Sequence, residues 1–382
     1  MKNIIVCADG LWPTPGRADY PQTTTNVFRL FVNLDGTDTP DSLLRAGEQE
    51  RIARAEDGRI TQAALYLMQG GDPADQLARL LRDAPGGRFL LPVLRGYGFI
   101  ARHYDPGDRV VLVGFSAGAT AARTLAGLIA ARGLPDRVLA DLRAPNAAER
   151  IGAALWQHWR RALFARRASL VRALDAVLAE LPGFFAAPVT APRHESVPIE
   201  AVAVWETVGA QGIPEHFGLS PDIDLHRFAD VTLPPGTVYG FHALAIDERR
   251  ADCAPTYWEP DARVLQYLFP GAHEDVGGGH GAANGESGLS DAALEWMIDN
   301  LAMLGLRFAT LPGWAAVADP CGVAHQPWRD PPYNSRAQGP RELPEGLSLA
   351  RVTRERLAAG PVQAAPHLAA RPWRPINLSG YA

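Results

Sequence analysis

The stretch Gly114-Phe115-Ser116-Ala117-Gly118 constrains this chain more than any other five residues, because of what flanks it. Before it, Arg109-Val110-Val111-Leu112-Val113 is a short β-branched apolar run of the kind that forms a buried parallel strand. After it, Ala119 to Ala131 is rich in Ala and Leu with a single Gly, a helical composition. A strand that passes directly into a helix through G-x-S-x-G turns so sharply that the serine backbone is strained, and small residues two positions either side avoid the clash. Such a turn lifts Ser116 Oγ clear of the sheet and aims the N–H of Ala117 at an incoming acyl oxygen. The competing reading is an ordinary strand–turn–helix crossover with a bystander serine.

The 382 residues are 47% hydrophobic and 21% charged, the proportions of a globular protein with a sizeable core. A net charge of −5 gives no footing for nucleic acid. Cys7, Cys253 and Cys321 are odd in number and widely spaced, with no C-x-x-C, so neither a disulfide framework nor a zinc site is expected. The opening Asn3-Ile4-Ile5-Val6-Cys7-Ala8 is too short for a signal h-region and reads as a first strand. No apolar run approaches the roughly 18 residues that span a bilayer. The expected location is the cytoplasm, with export by a machine that needs no N-terminal signal as the alternative.

Strand and helix signals alternate through the first half. Asn3–Ala8, Ala63–Leu67 and Arg109–Val113 read as strands, and Thr25 or Asn26 caps a short helix holding Val27, Leu30 and Phe31. Alternation of this kind predicts an α/β fold: a mostly parallel sheet with helices on both faces. Residues 136–198 read as a helical insertion followed by a Pro-rich connector. Its long helix interleaves Trp156, Trp159, Leu163 and Phe164 with Arg160, Arg161, Arg166, Arg167 and Arg172. Two readings stand: an amphipathic helix with a solvated Arg face, or a lid in which Trp156, Trp159, Arg160 and Arg161 meet substrate or a weakly bound membrane surface. Ile199–Trp205 and Arg263–Phe269 are further strands, and Ser290 opens a helix. Residues 312–382 read as an extended segment wrapped over a single domain spanning 1–382, with one helix around Ser348–Ala358.

An acyl-transferring serine needs a base, and an acid to orient that base. Glu206 directly follows the strand ending at Trp205, and His273 follows the strand ending at Phe269, so with Ser116 all three fall on the C-terminal edge of a parallel sheet. The rival base is His242, after a possible strand Val238–Phe241. The rival acids are Asp247, Asp252 and Asp275. The second oxyanion donor is sought after the first strand, at Gly10 or Leu11, to pair with Ala117. Gly277-Gly278-Gly279 is either an anion-binding nest or a tight turn for the His273 loop. No cofactor or metal is expected, although a metal cluster of His273, Asp275 and His280, or of Asp9, His273 and His280, is the minor alternative.

With these residues in view, the chain resembles a bacterial α/β-hydrolase family that includes the catalytic domains of class-one lipase effectors of type VI secretion. Cys7-Ala8-Asp9-Gly10-Leu11-Trp12 is similar to its D-G-T-W-N opening, Thr25-Asn26-Val27 to its T-N-V, and the elbow with Ala122-Arg123 to its G-F-S-R-G-A and A-R. Val204-Trp205-Glu206-Thr207-Val208-Gly209 resembles V-W-D-T-V-G, His242 to Arg250 resembles H-A-L-x-L-D-E-x-R, and Phe269 to Gly279 resembles F-P-G-x-H-x-D-V-G-G-G. The resemblance implies Ser116 as nucleophile, Glu206 in the place of the catalytic Asp, and His273 as base. The chain departs from the pattern at Ala117 (usually Arg), at Glu206, and at Leu11 and Pro13.

The expected activity is therefore serine-dependent hydrolysis of an acyl ester, lipase- or phospholipase-like, on a small-molecule or lipid ester. The alternatives are a binding or scaffold protein whose triad has drifted, and a metal-dependent hydrolase.

Overall fold

The computed structural model describes residues 1–10, 24–37, 48–68, 87–140, 142, 144, 146–164, 191–208, 231–281, 285–331, 333–363 and 368–378. Leu11, the arginines at 166, 167 and 172, and much of the Pro-rich connector lie outside them, as do the side chains of Arg160 and Arg161.

The strands are β1 (Asn3–Ala8), β2 (Gln49–Arg54), β3 (Ile60–Leu67), β4 (Arg109–Phe115), β5 (Leu134–Pro135), β6 (Arg193–His194), β7 (Ile199–Trp205), β8 (Thr237–Ala245), β9 (Val264–Phe269) and β10 (Ser348–Leu349). Eight of them form one sheet in the order β10-β9-β8-β7-β4-β1-β3-β2, all parallel except β2, which runs antiparallel along the edge. β5 and β6 make a separate antiparallel ribbon. The charged β2 buries Gln49 and Ala53 and exposes Glu50 and Arg54, as an antiparallel edge can and a central parallel strand cannot.

The helices are α1 (Asn26–Asn33), α2 (Gly87–His103), α3 (Ala117–Arg132), α4 (Ala147–Phe164), α5 (His273–Gly277), α6 (Gly288–Met303) and α7 (Arg351–Ala358). Because successive strand side chains point to opposite faces, the apolar runs feed two cores. Ile4, Val6, Val110, Leu112, Val202 and Val204 pack with α2, α3 and α4. Ile5, Cys7, Val111, Val113, Ala203 and Trp205 pack with α1 and α6. A third cluster, Leu244, Ile246 and Leu268 with Leu347, Val362, Trp373 and Leu378, holds the C-terminal segment against β8 and β9.

α4 places the two tryptophans of the lid reading in the core rather than at a surface. Trp156 and Trp159 are buried, in the same cluster as Leu94 and Tyr97 of α2 and Leu125 and Leu128 of α3. With Ala148 and Leu155 they form an apolar stripe that packs into the core; the side chains of 160–164, Leu163 and Phe164 among them, lie outside the described residues.

The order reverses between β1 and β4, since β1 leads towards β3 on one side and has β4 on the other; the crevice above such a switch point is where open α/β sheets place their sites. The turns after β1 and β4 flank it. Ser116 takes φ 56° and ψ −121°, far from any comfortable region for a residue with a side chain. The strain is imposed by contact: a Cβ on residue 118 would lie 2.1 Å from Ala8 O, so α3 can start this close to β1 only with glycine there. After β1, the buried Asp9 accepts from Thr25 Oγ1 (2.5 Å), Tyr66 OH (2.7 Å) and Gly10 N (2.8 Å), fastening the turn to β3 and to the Thr25 cap of α1.

Gly118→Ala should destabilise the fold by about 3 kcal/mol or more, since the clash is with backbone that cannot move aside; a denaturant midpoint equal to that of the unaltered chain would contradict the close approach. Burial raises the Asp9 pKa to about 6, against the opposing hydrogen bonds. Its contribution to stability is therefore complete below the ordinary Asp range and is lost as pH rises through about 6. Asp9→Asn removes that loss, so the variant should gain up to about 3 kcal/mol on the unaltered chain between pH 4 and pH 7, measured by urea unfolding at each pH.

Candidate active site

Three chain segments converge beside the elbow. Ser116 N donates to Trp205 O across the β4–β7 pair (3.2 Å), which places the first residue after β7, Glu206, next to the first residue after β4. Glu206 also has a positive φ, 47°, and its amide donates to Ala243 O of β8 (2.9 Å), turning its side chain in towards the end of the sheet. The short helix α5 then brings His273 alongside. Its ring packs on Phe115, centroids 4.6 Å apart, and α5 can lie this close because a Cβ on residue 277 would fall 2.0 Å from the Phe115 ring. The triple glycine thus serves the tight approach of the His273 loop.

Glu206 is fully buried, and each of its oxygens accepts twice. Oε2 takes His273 Nδ1 (2.9 Å) and Arg341 Nη2 (2.6 Å), while Oε1 takes Arg341 Nη1 (2.8 Å) and Ala245 N (2.7 Å). Burial on its own would raise the carboxyl; the charge and paired hydrogen bonds of Arg341, with the His273 bond, override it and hold Glu206 well below the usual carboxylate range. An ionised acceptor at Nδ1 fixes the tautomer of His273 and leaves Nε2 as its free nitrogen. The backbone of His273 is held by Glu248 Oε2 (3.1 Å), itself paired with Arg250 (2.7 Å).

Ser116 Oγ is not hydrogen-bonded to His273. Ala117 N–H, at the first position of α3, has no intrahelical acceptor. Gly10 lies against the serine, where a Cβ would be 3.1 Å from Ser116 Cβ, but its N–H is turned onto Asp9 Oδ1. As the turn stands, Gly10 therefore brings proximity and not a donor, contrary to the sequence expectation; Leu11, the other residue expected in that role, lies outside the described residues.

The rivals are each occupied elsewhere. His242 is fully buried; its Nε2 accepts from Thr207 N (3.2 Å), its Nδ1 faces Gln266 Oε1 (3.3 Å), and burial, with the Arg123 charge, pushes its pKa down to about 3. Asp247 holds Gly271 N and Trp373 Nε1, Asp252 pairs with Arg336, and Asp275 bonds the backbone of its own helix and His325. Asp9 is spent on Thr25, Tyr66 and Gly10, so a metal centre of Asp9, His273 and His280 does not assemble. Arg341 is the residue the sequence concealed: it comes from the Pro-rich C-terminal segment, 135 positions from Glu206, with no local pattern to mark it.

Among the described residues, no helix is long and apolar enough to cross a membrane. The chain is similar to the uncharacterized protein YEL023C of Saccharomyces cerevisiae, 30% identical over 141 residues, which are 37% of this chain and 19% of that one. Among solved structures it is similar to an uncharacterized protein from Pseudomonas aeruginosa (15% identity, TM-score 0.41, 84% of this chain and 48% of that one). It is also similar to the Tle1 effector in its complex with the VgrG spike of the type 6 secretion system (15% identity, TM-score 0.32, 73% and 51%). The chain thus spans about a fifth of that curated relative and about half of each solved neighbour. The sequence model that matches residues 2–300 is that of the T6SS phospholipase effector Tle1-like catalytic domain, and the chain belongs to that family.

Proposed function

We propose that the chain is a serine-dependent acyl ester hydrolase acting on a lipid ester, a phospholipid being the substrate that family membership favours. The observation that carries this reading is the fully buried Glu206 carboxylate bound to His273 Nδ1, beside a serine held in a strained strand-to-helix turn.

Ser116 Oγ would attack the ester carbonyl as His273 Nε2 takes its proton, and Glu206 would stabilise the imidazolium through Nδ1–H. The N–H of Ala117 would receive the charge that develops on the carbonyl oxygen. His273 would then return the proton to the departing alkoxide, and a water activated by the same nitrogen would free the acyl group from Ser116. Arg341 acts one step back, as a positioning residue: its fork fixes the plane of Glu206 and takes up part of its charge. That shared charge is also what favours the second reading, a drifted binding protein, because it weakens the acid's support of the imidazolium.

Ser116→Ala should lower kcat for a p-nitrophenyl ester and for phospholipid vesicles by about 10⁶-fold and abolish fluorophosphonate labelling, with the melting temperature kept. Retention of a tenth of the activity would defeat the serine mechanism, and an unaltered chain with no turnover and no labelling would favour the binding protein.

Arg341→Gln should lower kcat with KM kept, because the plane of Glu206 is released, and should lower stability by about 3–5 kcal/mol as a buried pair is broken. Arg341→Lys, which keeps the charge beside Glu206, should recover part of both. Loss of stability with kcat unchanged would make Arg341 purely structural.

A further inference from the structure

Asp275 lies two residues beyond His273 on α5, fully buried, and acyl transfer does not use it. Its Oδ2 accepts from Ala272 N and from His325 N, both at 2.8 Å. Those two bonds fix the carboxylate plane and turn Oδ1 towards two imidazoles. His325 Nδ1 is 2.6 Å from Oδ1, and His280 Nε2 is 3.7 Å from it. The two rings are stacked, centroids 3.4 Å apart and 8° from parallel, and the three ligand atoms all lie within 4.8 Å of one another.

His280 is the telling member. Its backbone is anchored, since its carbonyl accepts from the buried Arg29 Nη2 (2.6 Å), yet its Nε2 is shielded from solvent and makes no hydrogen bond. If Nε2 carries a proton, Asp275 Oδ1 is too far to accept it. If Nε2 carries a lone pair, that pair faces a carboxylate oxygen. Neither tautomer is satisfied by the protein. A cation among the three atoms satisfies all of them at once.

We propose that Asp275, His280 and His325 form a site for a divalent transition-metal ion, with Zn²⁺ as the representative ligand. Two imidazoles and one carboxylate suit zinc and its neighbours, and do not suit Mg²⁺ or Ca²⁺, which take oxygen donors throughout. Four-coordinate bonds of about 2.1 Å set donors about 3.4 Å apart. The observed 2.6 and 3.7 Å bracket that spacing, and since the stacked rings carry their lone pairs in parallel planes, one imidazole must also turn about its Cβ–Cγ bond for both to meet the ion. Both rings are partly exposed, which leaves a water the fourth position. The free oxygen of the carboxylate is already held by two backbone amides, the outer support that metal ligands generally have. Such an ion would clamp the C-terminal segment, through His325, to the helix that carries His273. Its role is structural, and its binding does not depend on the serine reading.

The test uses the full chain, stripped with chelator and dialysed against Zn²⁺. Titration calorimetry and elemental analysis should find one zinc per chain, with a raised melting temperature, and Co²⁺ in its place should give the visible d–d absorption of a four-coordinate nitrogen–oxygen site. His280→Ala should weaken zinc by about 10–100-fold and should lose the rise in melting temperature on adding zinc, judged against the same variant free of metal. His194→Ala, a histidine paired with Asp136 elsewhere, should bind as the unaltered chain does. Less than one zinc per chain at saturation, or equal affinity in His280→Ala, would overturn the site and leave a His325–Asp275 ion pair alone.

Discussion

Everything at the end of this sheet is arranged around a charge that has no access to water. A buried carboxylate is tolerable only if all its lone pairs are met, and Glu206 meets that condition by drawing in an amide from β8, an imidazole from α5 and a guanidinium from the C-terminal segment. The register of β7 against β4 and β8 decides where that charge sits. The approach of α5 and the course of the residues around Arg341 follow from having to satisfy it.

The same logic of strain and compensation runs through the neighbouring turns. Ser116 and Glu206 both have positive φ without being glycine, and they occupy equivalent places at the ends of adjacent strands. Each cost is met by what surrounds it: Gly118 admits the backbone of β1 beside the elbow, and the Asp9 hydrogen bonds hold the turn after β1 so that it cannot drift away. Pre-organisation of this kind is what a serine must have if its hydroxyl is to meet substrate at a fixed angle.

Much of this was readable from local pattern. The strands now numbered β1, β3, β4, β7 and β9 were visible as apolar runs, and the pairing of Glu206 with His273 followed from both residues standing just past a strand end. What was not readable depends on long-range fit. β2 carries too many charges to look like a strand and exists because β3 offers it an edge. Trp156 and Trp159 alternate with arginines, a pattern equally suited to a membrane face or a core, and only the presence of α2 and α3 decides for the core. Arg341 and His325 lie in sequence without periodicity, and their partners lie 135 and 50 positions away. The orientation of the Gly10 amide depends on an Asp9 rotamer that no sequence pattern encodes.

The Arg341 contact also bears on the order in which the chain is made. A ribosome releases residues 2–300, the whole stretch matched by the family, before Arg341 has been synthesised. Until that arginine emerges, Glu206 faces burial with its charge largely uncompensated, and the end of the sheet cannot close around it at low cost. The contact between Glu206 and His273 therefore gains its full set of partners only when the residues around Arg341 dock against the end of the sheet.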